Sequence, residues 1–514
     1  MYIHVFAASL PALRSLEFPH LSSAALRAAP PADDNNFPRP QFVTQQQDHF
    51  DSDNNRTWEQ AFYVNAEHWD GTGPVFLCVG GEGPPLTGAA VVHSVHCNNA
   101  VEWLSEVKAL MFAVEHRYYG CHNASACPYS PSDANPLQWL SSRQALADLA
   151  HFHAYASARW KLPEGTKWVS WGGSYPGMLA SFVRVLYPNL IHASVASSAP
   201  VRAKLDMEEY YDIASRAYSL PYVGGGNTCE VAIRNGHAEI GALMNTSTGR
   251  DTLASMFPQV KARGGADWLK TRAGQARFAG NGVAAFPSQS NDPACTAFGC
   301  NIERICDVMV GGPPSPPVQR LATLAKGQAK EQERRRAVGH GRESTALASR
   351  ASVVEMVARE QSGESSHPHL FLDYWGYQTC TEFGFYQTCE VGTRCFFTQG
   401  LNQLSDDDSF CQQEFSIPPS SIQQRIDATN AFYGAGRPDL ARNASRILYV
   451  NGDVDPWSGL SILASPSPGL PTLQVPGASH HAWTHPSAPT DQTSVIMART
   501  LIRKQVTQWL QEGR

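Results

Sequence analysis

None of the twelve cysteines in this 514-residue chain forms a C-x-x-C pair, so the common zinc spacings are missing. No apolar run reaches the length needed to span a bilayer. Charge is sparse: 17% of residues are charged and the net charge is −6, which gives no reason to expect nucleic acid or an anionic membrane as partner. There is no internal repeat. The start of the chain lacks a basic leader: Tyr2 to Leu13 is only mildly apolar and contains Pro11, which makes a poor signal peptide. Two explanations stay open, a start at the wrong methionine or a missing leader. Residues 1–40 read as a processed or disordered stretch ending in the Pro/Asp/Asn-rich run Ala29 to Pro40.

The hydrophobic share, 42%, is ordinary for a globular protein. The length calls for two compact units or one core with a large insertion. An even, clustered set of cysteines suits disulfides in an oxidising compartment. Four N-x-S/T sequons, at Asn55, Asn123, Asn245 and Asn443, point the same way, although several would arise by chance in a chain this long. The expected location is the secretory pathway, lysosome-like or extracellular.

The pattern then becomes α/β. Pro74 to Val79 and Leu110 to Val114 read as buried strands, and Ala145, Leu149 and Phe152 fall at helical spacing. A β-prone run follows at Lys167 to Trp171, and His192 to Ser197 reads as another strand. Ile447 to Val450 and Leu473 to Val475 resume the pattern, and Ala498, Ile502, Val506 and Trp509 line one face of a closing helix. This alternation predicts a doubly wound, mostly parallel sheet. The expected division is a core over 41–204 and 426–514, with an insertion over 205–425 holding eight of the twelve cysteines. Within the insertion, 311–349 opens Gly-Gly-Pro-Pro-Ser-Pro-Pro, carries Arg334-Arg335-Arg336, and reads as a solvated loop.

The chemistry centres on Trp171-Gly172-Gly173-Ser174-Tyr175-Pro176-Gly177. A strand, a glycine-flanked serine and an immediate helical pattern make the layout of a nucleophile elbow. The usual G-x-S-x-G is altered, with Pro176 in the last position and Gly177 one later. A serine hydroxyl needs a base, an acid to orient that base, and donors for an oxyanion. Asn451-Gly452-Asp453-Val454-Asp455-Pro456 follows one predicted strand, and Gly477-Ala478-Ser479-His480-His481 follows another. Alone, each aspartate could be a turn former and each histidine a surface residue. In the order Ser, Asp, His, each just past a strand, they converge on one rim. The backbone amide of Tyr175 is one expected oxyanion donor. The other is expected from the loop Gly80-Gly81-Glu82-Gly83-Pro84, at Gly81 or Glu82. His151 and His153, and His367 and His369, lack a convincing third ligand, so no metal or cofactor is called for.

These residues carry a resemblance. QQQDHFD from Gln45, GPVFLCVGGEGP from Gly73, EHRYYG from Glu115, WGGSYPGMLA from Trp171, SSAPV from Ser197, WGYQTCTEFGFYQT from Trp375, NGDVDPWS from Asn451 and GASHHAW from Gly477 are similar to one peptidase family. It is the serine peptidase family of lysosomal prolyl carboxypeptidase, dipeptidyl peptidase II and thymus-specific serine protease. The GGEGP and YQTCTEFG forms look closest to the thymus-specific branch. The resemblance implies an α/β-hydrolase core under a helical, disulfide-linked cap. It also implies a triad of Ser174, Asp455 rather than Asp453, and His480 rather than His481, and it tolerates Pro176. Cys121 and Cys127 around Asn123, and the 311–349 stretch, depart from the family pattern. The implied activity is a serine exopeptidase of dipeptidyl-peptidase or carboxypeptidase type, with a weaker implication of proline preference. The alternatives are an esterase or lipase of the same fold and a catalytically silent binding protein. Glu82 and Glu382 are candidates for gripping a free α-amino group. Peptides are the expected partners, with room for a homodimer.

Overall fold

The computed structural model describes residues 37–121, 123–130, 132–339, 373–434 and 444–512. Among them ten strands form: β1 (Gln41–Gln46), β2 (Thr57–Asn65), β3 (Val75–Val79), β4 (Leu110–Val114), β5 (Trp168–Gly173), β6 (Ala193–Ser197), β7 (Lys204–Asp206), β8 (Gly384–Tyr386), β9 (Ile447–Gly452) and β10 (Thr472–Val475). Eight make one sheet in the order β1-β2-β4-β3-β5-β6-β9-β10. β2 runs antiparallel to β1 and β4, and the remaining pairs are parallel.

Alternation along each strand splits the core into two layers. Val75, Leu77 and Val79 of β3, with Leu110, Phe112 and Val114 of β4, face α1 (Ser142–Arg159) and α2 (Tyr175–Leu186). Phe76, Cys78, Met111, Ala113 and Trp171 point the other way, into a second cluster that holds Val91, Trp103 and Leu104 and, further along, the apolar stripe of the C-terminal helix Thr493–Gln511. The parallel strands follow the predicted apolar runs. β1 and β2 do not appear in the sequence reading, because a glutamine, Gln45 or Gln60, interrupts the buried positions of each. Gln45 is fully buried, and its side-chain amide donates to Gln60 Oε1 at 2.7 Å and to the Asp148 carbonyl at 3.0 Å.

The described residues between β6 and β9 add no strand to this sheet; their strands, β7 and β8, pair with each other. Helices fill the segment, among them α3 (Glu209–Ala217), α4 (Asn227–Met244), α5 (Ile302–Val310), α6 (Pro317–Gly339) and α7 (Pro419–Tyr433). Helix α6 corrects the expected loop over 311–349. Val318, Leu321, Ala322 and Ala325 recur at helical spacing and are buried. Leu321 lies against Gly236 of α4, where a Cβ would come within 2.6 Å of its side chain. The charged second half of the helix hides this short apolar stripe in the sequence. Positions 340–349 lie outside the described residues, as do His367, His369 and the Asn443 sequon.

All twelve cysteines pair: Cys78–Cys97, Cys121–Cys127, Cys229–Cys306, Cys295–Cys300, Cys380–Cys411 and Cys389–Cys395. No described helix is long and apolar enough to cross a membrane.

Candidate active site

Ser174 stands at the turn from β5 into α2 with φ 65° and ψ −132°, a strained backbone for a residue with a side chain. Its N–H donates to the Ser197 carbonyl on β6 at 2.9 Å. Strand and helix nearly touch here. A Cβ on Gly172 would lie 2.3 Å from the Pro176 carbonyl oxygen, and one on Gly177 would lie 2.8 Å from the Ser197 oxygen. The small residues are therefore needed at 172 and 177, and position 176 can hold proline, which suits the first turn of a helix. Its ring faces Gly81, where a Cβ would lie 2.3 Å away. The Gly80–Pro84 loop after β3 thus lies directly against the elbow.

Beyond β9, the two aspartates part company. Asp453 Oδ1 accepts the Gly477 N–H at 2.6 Å and its Oδ2 accepts the Tyr222 hydroxyl at 2.5 Å, which pins two loops together. Asp455 is fully buried; its Oδ1 accepts the Trp457 N–H at 3.0 Å and its Oδ2 lies 2.9 Å from His480 Nδ1. A carboxylate only accepts, so Nδ1 carries the proton and Nε2 keeps its lone pair. Among the described residues His480 Nε2 is buried without a hydrogen-bond partner. The Ser174 hydroxyl is thus not bonded to it in this structure, a separation common in ligand-free active sites. His481 makes no carboxylate contact. Its ring lies against Gly173, 4.5 Å from that of His480, and its Nδ1 is 3.0 Å from the Thr484 hydroxyl.

Burial dominates the electrostatics. It drives His481 well below the usual histidine range and lowers His96 to about 4 and His485 to about 3, so these rings stay neutral. Burial also raises the partly exposed Glu82 carboxyl to about 7, against the pull of its own backbone N–H and of His480.

Glu382 does not have the free carboxylate expected of a substrate-gripping group. It accepts the Ser142 N–H at 3.0 Å, the Ser142 hydroxyl at 2.6 Å and the Gln378 amide at 3.0 Å. Gln378, from the inserted segment, also donates to the Tyr175 hydroxyl at 2.9 Å and accepts the Tyr119 hydroxyl at 2.7 Å. His116 Nε2 lies 3.0 Å from that Tyr175 hydroxyl. Beside it, Arg117 and Asp148 form a bidentate, fully buried ion pair at 2.7 and 2.8 Å. Burial alone would raise the Asp148 carboxyl, but Arg117 and His49 hold it below the usual carboxylate range.

One contact escaped the sequence reading. The Gln289 carbonyl, from the inserted segment, accepts the His480 N–H at 3.1 Å, and its side-chain oxygen accepts from Trp457 Nε1 at 2.9 Å and the Tyr210 hydroxyl at 2.8 Å. Nothing in the local sequence Phe-Pro-Ser-Gln-Ser marks it. Among the described residues no group of three His, Cys, Asp or Glu side chains is placed to hold a metal.

The strand order, the parallel crossovers and the strained serine at the end of β5 define an α/β-hydrolase. Residues 45–502 match the family described as serine carboxypeptidase S28, and the chain belongs to that family of serine-type peptidases. The thymus-specific serine protease of Homo sapiens is 33% identical over 484 residues, covering 92% of this chain and 87% of its own. The lysosomal Pro-X carboxypeptidase of Bos taurus is 25% identical over 494 residues, covering 92% and 88%. A solved proline iminopeptidase from Mycobacterium smegmatis covers 91% of this chain and 99% of its own, with 13% identity and a TM-score of 0.34.

Proposed function

We propose that this serine peptidase is an exopeptidase working through Ser174, His480 and Asp455. One observation carries the reading: the buried 2.9 Å Asp455–His480 pair, on a rim shared with the strained Ser174. Ser174 Oγ attacks the peptide carbonyl while His480 Nε2 takes its proton. Asp455 holds the imidazole in the Nδ1–H tautomer and stabilises the cation that forms. His480 then protonates the leaving amine, and water releases the acyl-enzyme. The Tyr175 N–H and the N–H of Gly81 or Glu82 stabilise the oxyanion. The buried imidazole and the Gln289 contact support a site beneath the helical segment, which would favour short or unfolded chain ends, with proline near the scissile bond as the name of the Pro-X carboxypeptidase relative suggests.

Complete pairing of the cysteines supports an oxidising, secretory or lysosome-like compartment. Asn55, Asn123 and Asn245 are exposed and suit glycosylation. Ser174→Ala is expected to abolish labelling by a fluorophosphonate probe while circular dichroism stays unchanged. Equal labelling of the variant rejects the assignment.

A further inference from the structure

We propose that Glu82 receives the α-ammonium of the substrate, so that the enzyme works from the amino end of short peptides. This rests on the triad reading and deepens it.

The first support is position. Gly81 abuts the Pro176 ring, so the next residue stands at the mouth of the elbow. The Glu82 carboxyl lies within electrostatic reach of His480, Tyr119 and Tyr175. An extended peptide advances about 3.3–3.6 Å per residue. A carboxylate on the loop that supplies an oxyanion donor therefore reaches a group one or two residues before the scissile bond.

The second support is availability. Glu82 is partly exposed, and among the described residues no side chain hydrogen-bonds its carboxylate. Glu382, the other candidate, is consumed by Ser142 and Gln378.

The third support is the sign of the field. The charged groups acting on Glu82, Tyr119, Tyr175 and Tyr210 are His480 and the carboxyl groups of Glu82, Asp373, Glu382 and Asp455. A substrate carboxylate would meet this field unfavourably, whereas an ammonium complements it and restores charge balance to Glu82.

The test uses the full-length enzyme and a hexapeptide library divided into free and N-acetylated halves, read by mass spectrometry. The wild type is expected to release amino-terminal fragments from the free half at least tenfold faster than from the acetylated half. Glu82→Gln is expected to lose most of that preference through a higher KM for free peptides, and Glu82→Asp to keep part of it. Equal cleavage of both halves by the wild type overturns the proposal. So does an equal loss on both halves in Glu82→Gln, or cleavage that depends only on a free C-terminal carboxylate. These failures leave Ser174-dependent hydrolysis intact. Hydrolysis that persists in Ser174→Ala instead overturns the triad reading beneath it.

Discussion

In the sheet, position is set by backbone ladders and by side chains buried on both faces; in the helical segment between β6 and β9, it is set by side-chain packing and cross-links. Phe62, Phe112, Phe152, Trp160 and Trp168 pack edge-on and tilted against strands whose register is already fixed. The helical segment gathers Tyr218, His237, Phe286, Phe396 and Phe397 around a centre with no sheet behind it. Four of the six disulfides join residues there, and Cys229–Cys306 closes a separation of 77 residues. A ladder holds loop ends at a rim to within a hydrogen bond, which suits reacting groups. A cross-linked helical segment is held by its disulfides and side-chain packing instead. The two meet at Gln289 against His480 and at Gln378 against Tyr175.

The largest expected effect breaks the rim without touching the helical segment. Asp455→Asn is expected to lower kcat by about 10⁴-fold, because an amide facing Nδ1 favours the wrong imidazole tautomer. Asp453→Asn, two residues away, removes only loop contacts and is expected to stay within about tenfold of the wild type. Steady-state kinetics on both decide which aspartate serves the histidine, and equal losses would erase the distinction.

The next effect breaks the helical segment. Loop-closure entropy predicts that replacing both Cys229 and Cys306 by alanine costs about 4.5 kcal/mol, against about 2 kcal/mol for Cys389 and Cys395, whose separation is 6 residues. Urea unfolding with limited proteolysis measures both losses and shows where the chain opens first. Opening within the sheet would contradict the contrast drawn here.

The smallest effect concerns pH. His237 is buried inside the helical cluster, with Nδ1 3.0 Å from the Ile233 carbonyl, and burial lowers it to about 4 from an ordinary 6.5. The folded form stays neutral where the unfolded chain takes up a proton. Its contribution is therefore complete above pH 6.5 and is lost as pH falls towards 4, by roughly 2–3 kcal/mol. His237→Phe should flatten that part of the curve of Tm against pH. An unchanged slope would assign the acid sensitivity to the buried histidines of the core, His96, His116 and His485.

Some of this architecture was legible because it is local. An unbroken apolar run needs only its own neighbours to become a central strand, and a glycine-flanked serine between strand and helix needs only its own turn. β1 and β2 were hidden because a glutamine interrupts the buried positions of each, its amide bonded to a group distant in the chain. Helix α6 was hidden because five apolar residues in its first turns carry its packing while charge crowds its second half. The Gly81–Pro176 fit was equally invisible, since the two residues are separated by the whole of β4 and α1.

The amino-acid sequence by itself determined the strand runs of the parallel sheet, the serine turn and the order in which aspartates and histidines follow it. Only the tertiary structure decided how Asp455 meets His480, which cysteines join, and which of two glutamates is tied up by Ser142 and Gln378. The physical reason is range. Strand periodicity and turn strain are properties of a few consecutive residues. A hydrogen bond or a disulfide between distant segments depends on where hundreds of other contacts bring the chain.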